Sequence, residues 1–460
     1  MADSKISCWA RISDQEREAA FSLAEAYKEF LDRGKTERLA VAETERIAVE
    51  RGFRPLHEYE VLRPGARVYA VNRQKTIILG VVGSDPFAEG LRIVGAHLDA
   101  PRLDLKPEPL YEEEGLAFFK THYYGGIKKY HWLAIPLALY GTFLKGNGEK
   151  YELSIGDHPG EPVFTITDLL PHLAKDQIEK KLENAFPGEN LNVLVGSIPL
   201  SGKENKEEQA VKKAVTEYLL RAYGLQGEDF ISAEVEAVPA WPAHDVGLDR
   251  SLVGAYGQDD RACSFAALQA ILSVENPRRT CLTVLVDKEE IGSTGNTGMY
   301  SRFFENTVAE ILARTGKDYS ELTLRRCLSA SKCLSGDVNA GLDPNYAEVL
   351  DKYNAARIGC GVSLTKYTGT KGKYGTNDAN AEFVYEIRDL FNRNGVLWQT
   401  GELGKVDQGG GGTIAHILAA FGMDVVDCGP PVLSMHAPFE LVSKVDLYMT
   451  YRAYHAFYND

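Results

Sequence analysis

The stretch Leu91-Arg-Ile-Val-Gly-Ala-His-Leu-Asp99 decides the fold, because it has the pattern of a short buried strand that runs into a polar turn. After Gly254, further buried-strand patterns alternate with apolar residues at helical spacing. The strand patterns cover residues 280–286, 360–364 and 424–427, and the helical patterns cover residues 261–274, 302–313, 380–392 and 413–421. This alternation predicts an α/β fold with a mostly parallel mixed sheet that carries helices on both faces.

The residues before this stretch predict two helices followed by strands. Ser13 and Glu16 have the spacing of a capping box at the start of the first helix. Thr36 can cap a second helix, and Gly52 lies just past its predicted end. Residues 67–82 then have two strand-like patterns.

The composition changes between residues 107 and 242, where short β-like runs and a proline-rich section occur. We therefore predict one catalytic α/β domain, made of residues 1–106 and 243–460. It is interrupted by an inserted β-rich domain at residues 107–242, which we expect to supply the contacts of a dimer. Alternatively, the insertion is an ordinary surface decoration.

Composition and charge exclude several classes of protein. The chain has 460 residues and a formal net charge of −14, which argues against a nucleic-acid binder because such proteins need basic surfaces to neutralise phosphates. No window approaches the ~18 consecutive apolar residues of a membrane span, and the first residues lack the pattern of a signal peptide. The seven cysteines show no paired spacing, which is typical of reduced thiols in a cytoplasmic protein.

Acidic residues and histidines follow several of the predicted strands. In an open α/β sheet, ligands bind beyond the carboxyl ends of the strands, so these side chains lie where the fold would place a site. They are His97, Asp99, Asp259, Asp260, Glu289, Glu290, Asp337 and His436. Each also has an ordinary explanation by itself, such as a hydrogen-bonded structural histidine or, for Asp259 and Asp260, a helix cap.

This set of residue types suits a metal-dependent hydrolase. Of two adjacent glutamates, one can bind a metal while the other acts as a general base. In a His-x-Asp pair, the aspartate can fix the orientation of a metal-binding imidazole. A carboxylate can also bridge two metals ~3.5–4 Å apart. Zn²⁺ suits this mixture of ligands, and Mn²⁺ or Co²⁺ would accept similar ones.

The order of these residues resembles that of the dinuclear zinc aminopeptidases, and most closely the bacterial branch of the aspartyl aminopeptidase family. The resemblance covers most of the chain. It is carried by the stretches Gly95-Ala-His-Leu-Asp-Ala-Pro-Arg-Leu-Asp-Leu-Lys-Pro, Tyr123-Tyr-Gly-Gly, Asp287-Lys-Glu-Glu-Ile-Gly-Ser, Ser335-Gly-Asp-Val-Asn-Ala with Pro344-Asn-Tyr, and Leu433-Ser-Met-His.

The resemblance implies two Zn²⁺ ions per chain and a role for each site residue. His97 and Asp337 would complete one metal site, Glu290 and His436 would complete the other, and Asp259 would bridge them. Glu289 would be the general base and Asp99 the partner of His97. Similar proteins release N-terminal Asp or Glu from peptides by attack of a water molecule that the metals activate. They assemble as tetrahedral dodecamers built from dimers.

An acidic substrate side chain needs a local cation in a site rich in carboxylates. The candidates for substrate binding are Lys366, Lys373, Tyr374 and His131, with His131 expected close to the active site of a partner subunit. Alternatively, the two lysines are solvated loop residues.

Two other functions remain open at this point. One is a deacylase or carboxypeptidase of the same fold, and the other is a catalytically silent assembly protein. The presence of all five metal-ligand candidates and both glutamates weighs against the silent protein.

Overall fold

The structure is a computed structural model that describes residues 6–200, 209–316 and 319–460. The chain divides into two compact units. The first unit contains residues 1–100, 242–435 and 439–460, and the second contains residues 101–241 and 436–438. The catalytic and dimerisation roles expected for the two segments stay predictions.

The described residues form helices and strands along most of the chain. The helices are α1 (Asp14–Arg33), α2 (Glu37–Glu50), α3 (Lys175–Ile178), α4 (Leu182–Ala185), α5 (Ala210–Tyr223), α6 (Gln258–Leu272), α7 (Phe303–Arg314), α8 (Glu321–Ala330), α9 (Ala381–Arg393), α10 (Ala415–Ala419) and α11 (Lys444–Tyr458). The first strands are β1 (Arg54–Pro55), β2 (Arg67–Asn72), β3 (Thr76–Val81), β4 (Arg92–His97), β5 (Arg102–Glu113), β6 (Leu116–Tyr124), β7 (Leu137–Leu144), β8 (Lys150–Ile155), β9 (Val193–Gly196), β10 (Glu234–Pro239) and β11 (His244–Val246). The remaining strands are β12 (Leu252–Ala255), β13 (Cys281–Val286), β14 (Lys332–Ser335), β15 (Asn339–Ala340), β16 (Val362–Thr365), β17 (Gly369–Thr370), β18 (Trp398–Thr400), β19 (Gly410–Gly411), β20 (Asp424–Gly429), β21 (Pro431–Leu433) and β22 (Glu440–Ser443).

A nine-stranded mixed sheet forms the centre of the first unit. Its strand order is β1-β2-β3-β13-β4-β14-β20-β16-β18, and the four central strands β13, β4, β14 and β20 run parallel. Strands β2, β3 and β16 introduce the antiparallel pairs. The predicted α/β class with a mostly parallel mixed sheet is confirmed.

Helices cover both faces of this sheet because alternate side chains of each strand point to opposite faces. On β3, Ile77 and Leu79 join a buried cluster with residues of α1, α2, α6, α9 and α11. Ile78, which lies between them, joins a second cluster with residues of α7, α8 and α10. Each face of the sheet therefore has its own apolar core.

A five-stranded sheet in the first unit contains the strand that leads into α6. Its order is β11-β12-β22-β21-β15. Strands β12 and β22 are antiparallel, and their register places Ala255 opposite Glu440. Since β12 ends at Ala255 and α6 begins at Gln258, this register brings β22 beside the first turn of α6.

The second unit is built on a six-stranded antiparallel sheet in the order β8-β7-β10-β5-β6-β9. Helix α5 packs against β5, β6 and β9. This β-rich unit contains the two runs at residues 151–155 and 191–195 that have strand patterns in the sequence.

Local predictions near the N-terminus agree with the structure. The Ser13 Oγ accepts the Glu16 N–H at 3.2 Å while the Glu16 carboxylate accepts the Ser13 N–H at 2.9 Å, which completes a capping box on α1. The Thr36 hydroxyl accepts the Leu39 N–H at 3.3 Å at the start of α2. All seven cysteines are free and buried. Among the described residues, no helix has the length and apolar character required to span a membrane.

Candidate metal centre

Three neighbouring parallel strands bring acidic residues and a histidine to one edge of the nine-stranded sheet. His97 is the last residue of β4, Asp337 follows β14, and Glu289 and Glu290 follow β13. Because β13, β4 and β14 are parallel neighbours, their carboxyl ends meet at the same edge. The two glutamates lie past the end of β13, in a short 3-10 turn over Glu289–Ile291 that begins after Lys288, whose φ of 68° is left-handed.

The ligand atoms of six side chains approach each other closely enough to hold metal ions. Within the described residues they form three groups, and in each group the ligand atoms lie within 4.8 Å of one another. The groups are His97 with Asp259 and Glu290, His97 with Glu289 and Asp337, and Asp259 with Asp260 and Asp337. The structure therefore brings together six of the eight candidate residues, including Asp260, to which the family resemblance assigns no role.

His97 is held with one ring nitrogen turned towards the carboxylates. Its Nδ1 lies 2.9 Å from the Asp99 carbonyl oxygen and 3.3 Å from Asp99 Oδ1. Its Nε2 lies 3.3 Å from Asp259 Oδ1 and 3.8 Å from Glu289 Oε2. With Nδ1–H donating to the Asp99 carbonyl, the lone pair of Nε2 is left to bind a cation. Burial lowers the pKa of His97, but hydrogen bonds to Asp259 and Asp99 raise it well above its usual value.

Asp99 connects two neighbouring strands at this edge of the sheet. Its side chain is fully buried, and its two carboxylate oxygens accept the backbone N–H groups of Glu289 and Glu290, each at 3.1 Å. The predicted contact with His97 is present as well. The Asp99 carboxylate thus joins the end of β4 to the turn after β13.

Asp259 lies in the first turn of α6 but does not have helical backbone angles. Its φ and ψ are −84° and 103°, and the peptide bond between Asp259 and Asp260 is cis. The N-cap position of α6 is Gly257, which has no side chain to cap the helix. Asp259 instead points its carboxylate at His97, and Asp260 Oδ2 accepts the His97 N–H at 3.3 Å.

Burial and the crowding of like charges shift the pKa values of acidic groups in the cluster. Burial raises the pKa of Asp337 well above its usual value, and the charges of Glu289, Asp259 and Asp260 raise it further. Burial also raises the pKa of Asp260 to about 7, although His97 opposes this shift. Carboxylates collected in this way need a cation to stay ionised together.

The remaining predicted ligand, His436, belongs to the second unit. Its Nδ1 lies 2.8 Å from the Gly126 carbonyl oxygen, and its backbone has a left-handed φ of 63°. With Nδ1–H donating to this carbonyl, Nε2 keeps a lone pair for metal binding. The role of His436 as a metal ligand stays a prediction.

The substrate-binding candidates occupy two parts of the chain. Lys366 and Lys373 both pair with Asp378, at 3.0 and 2.9 Å, and Tyr374 is exposed. His131 lies in the second unit, in the 3-10 turn Lys129–Trp132, where burial and then the charge of Lys128 lower its pKa. Their roles in substrate binding stay predictions.

A family model described as aminopeptidase I zinc metalloprotease (M18) matches residues 30–458 of the chain. The chain belongs to the M18 family. It is therefore a zinc metalloaminopeptidase, as the resemblance in the sequence predicts. A deacylase, a carboxypeptidase and a catalytically silent protein are no longer competing interpretations.

Individual M18 proteins match over almost the whole chain. The "Probable M18 family aminopeptidase 1" of Clostridium acetobutylicum is 49% identical over 458 residues, which are 99% of this chain and 98% of that protein. The crystal structure of the M18 aminopeptidase from Thermotoga maritima has a TM-score of 0.95 and 49% sequence identity, and 99% of each chain is covered. The S. cerevisiae mApe1 dodecamer shares the fold, with a TM-score of 0.75 at 22% identity, covering 94% of this chain and 95% of that chain.

The residues at the edge of the sheet fit the zinc of the M18 family. One imidazole nitrogen with an available lone pair and several carboxylates form a donor set that Zn²⁺ accepts. Divalent cations would also stabilise the ionised forms of Asp337 and Asp260, whose pKa values are raised by burial and by the neighbouring carboxylates.

Two buried acidic residues have no role among those that the family resemblance implies, namely Asp260 and Glu440. Asp260 is adjacent to a predicted ligand, so its position alone could have drawn attention to it. Glu440 lies 181 residues from Asp259 in sequence, and its proximity depends on the pairing of β12 with β22. No local pattern in the sequence predicts the contact between Glu440 and Asp259.

Proposed function

We propose that this M18 enzyme binds two Zn²⁺ ions per chain and releases N-terminal Asp or Glu from peptides. His97 and Asp337 would bind one ion, Glu290 and His436 the other, and Asp259 would bridge them. The observation that carries this proposal is that Asp259 shares one group of ligand atoms with His97 and Glu290, which belong to different proposed sites, and another with Asp260 and Asp337. Mn²⁺ or Co²⁺ could replace zinc with the same ligands.

Bound zinc would polarise the scissile carbonyl and lower the pKa of a nearby water molecule. Glu289 accepts the proton of the attacking water and returns it to the leaving amine. Glu289 suits this role because its backbone N–H is held by Asp99, while its carboxylate lies 3.8 Å from His97 Nε2. Asp99 keeps the His97 ring in the orientation that presents Nε2 to the metal.

The acidic preference requires a cation near the substrate side chain, since the chain carries a net charge of −14. Lys373 and Lys366 are the proposed cations, with Tyr374 beside them and His131 contributed by a partner subunit. Asp378 supports this proposal because it already binds both ammonium groups, and a substrate carboxylate could take its place.

We further propose that the enzyme is a cytoplasmic homo-oligomer, a tetrahedral dodecamer built from dimers. The second unit would supply the dimer contacts. Exposed apolar side chains support this role, among them Leu173 and Ile178, which are 67% and 75% exposed. The seven free, buried thiols suit a reducing compartment.

A panel of aminoacyl-p-nitroanilides, assayed after chelation and again after zinc is restored, tests the reaction and its specificity. We expect no hydrolysis without metal, and faster hydrolysis of the Asp and Glu compounds than of the Leu compound once zinc is restored. The N-acetylated Asp compound is the matched control, because an aminopeptidase needs a free N-terminus and should leave it intact. Preference for the Leu compound would contradict the acidic specificity but not the aminopeptidase activity.

A further inference from the structure

A buried carboxylate from a neighbouring strand caps the helix that carries Asp259. Glu440 is the first residue of β22 and is 1% exposed. Its Oε2 accepts the backbone N–H of Gln258 at 2.6 Å and the backbone N–H of Asp259 at 3.1 Å. Both bonds therefore end on the same oxygen atom, at the first turn of α6.

This contact replaces a cap that α6 lacks within its own sequence. The first N–H groups of a helix have no partner inside the helix, and a side chain at the N-cap usually satisfies one of them. The N-cap of α6 is Gly257, which has no side chain. The carboxylate of Glu440, from the adjacent strand, accepts two N–H groups of this first turn instead.

The geometry of Glu440 is fixed by its own strand. Glu440 is the register partner of Ala255, the last residue of β12. The Gln258 side chain donates to the Glu440 carbonyl oxygen at 2.5 Å and to the Val253 carbonyl oxygen at 3.1 Å. The turn between β12 and α6 is thus tied to β22 through both the backbone and the side chain of Glu440.

We propose that Glu440 is a positioning residue for the metal-binding carboxylate of Asp259. This inference rests on the proposed function, in which Asp259 bridges the two ions. Asp259 has non-helical backbone angles, and its carboxylate must stay 3.3 Å from His97 Nε2 to share a metal with it. Without the acceptor at position 440, the N–H of Asp259 loses its partner and the first turn of α6 is free to relax. The Asp259 carboxylate then moves away from His97.

Zinc affinity, measured by competition with a chromogenic chelator, tests this role directly. Loss of a residue that orients a metal ligand typically weakens metal binding ~10–100-fold. We expect such a loss in Glu440→Ala, which removes the acceptor, and in Glu440→Asp, which keeps the charge but is too short to reach both N–H groups. Glu440→Gln should stay within a few-fold of the parent enzyme, because its one carbonyl oxygen can occupy the place of Oε2.

A matched control separates this effect from general destabilisation. Asp446 is another buried carboxylate that accepts two backbone N–H groups, from Gly359 at 2.6 Å and Gly361 at 2.7 Å. Asp446→Asn should lower the melting temperature and leave zinc affinity unchanged.

Parental zinc affinity in folded Glu440→Ala or Glu440→Asp would overturn the inference, and so would an equal loss in Glu440→Gln. If Glu440→Ala does not fold, the contrast between the Asp and Gln variants decides. A parent enzyme that binds only one zinc ion would instead contradict the proposed bridging by Asp259.

Discussion

The carboxylate of Asp99 accepts the backbone N–H of Glu289 at 3.1 Å, and the same carboxylate contacts the ring of His97. The residue that orients the imidazole therefore also orients the proposed general base. A change at Asp99 should disturb proton transfer and metal binding together. By contrast, a change at Glu289 should disturb proton transfer and leave zinc bound, and a change at Glu290 should weaken zinc binding.

For Asp99→Ala, we expect both kcat and zinc affinity to fall by ~10–100-fold, the usual effect of removing a partner of a metal ligand. The variant loses the acceptor for the N–H groups of Glu289 and Glu290 as well as the side-chain contact with His97. Steady-state kinetics at saturating zinc and a chelator competition measure the two effects. An unchanged zinc affinity would show that the Asp99 carbonyl oxygen alone fixes the His97 ring.

Substitution Glu289→Gln should lower kcat by ~10²–10⁴, the range for loss of a general acid–base group. Its zinc content should remain that of the parent, because Glu289 is the proposed base rather than a ligand. Glu290→Gln is the matched control, since it changes the adjacent residue in the same turn and should lower zinc content. Activity of Glu289→Gln within a few-fold of the parent would assign the proton transfer to another group.

Lys373→Ala should lower kcat/KM for Asp-p-nitroanilide far more than for Leu-p-nitroanilide. The lysine is proposed to bind the substrate carboxylate, and Leu offers no charge for it to bind. Lys366→Ala is the companion variant, because Lys366 pairs with the same carboxylate, Asp378. Equal losses on both substrates in each variant would remove the two lysines from the specificity pocket.

The stability of the enzyme should depend on the ionisation of Asp427. Burial raises the pKa of this carboxyl from 3.8 to about 6, although the hydrogen bond from Thr413 lowers it. The folded state thus holds this proton more tightly than the unfolded state. The contribution of Asp427 to the free energy of unfolding therefore falls as pH rises from about 4 to about 6, and it stays constant above that range.

The variant Asp427→Asn cannot titrate at this position. Its free energy of unfolding should therefore fall by up to about 3 kcal/mol less than that of the parent over this pH range. Urea unfolding of metal-free protein at pH 4.5 and pH 7 measures the change. Asp424→Asn, at the start of the same strand, controls for removal of a negative charge. Parallel pH profiles for the parent and Asp427→Asn would contradict the prediction.

The sequence predicts the parallel core of the sheet because buried strands have a recognisable pattern, and this core places His97, Glu289 and Asp337 at one edge. It cannot predict contacts that depend on how distant strands pair. The contact of Glu440 with the first turn of α6 requires the register between Ala255 and Glu440. The hydrogen bond between Asp99 and the Glu289 N–H requires that β4 and β13 are neighbours in the sheet. Such contacts follow from tertiary packing rather than from local spacing.

One predicted helix is longer in the sequence pattern than in the structure. The helical pattern at residues 413–421 forms a helix only over Ala415–Ala419, since the Thr413 hydroxyl donates to Asp427 and the Thr413 carbonyl contacts the His416 ring.

The ion pairs of Lys366 and Lys373 could not be predicted from the sequence either. Both lysines pair with Asp378, and the pattern of apolar residues does not reveal this contact.

The number of zinc ions that Asp259 holds tests the central claim most directly. Metal analysis of the parent enzyme, after chelation and reconstitution, should give two zinc ions per chain. Asp259→Ala, reconstituted in the same way, should retain neither ion, because it lacks the ligand shared by both sites. Two ions still bound to folded Asp259→Ala, or a single ion in the fully active parent, would contradict the two-metal account.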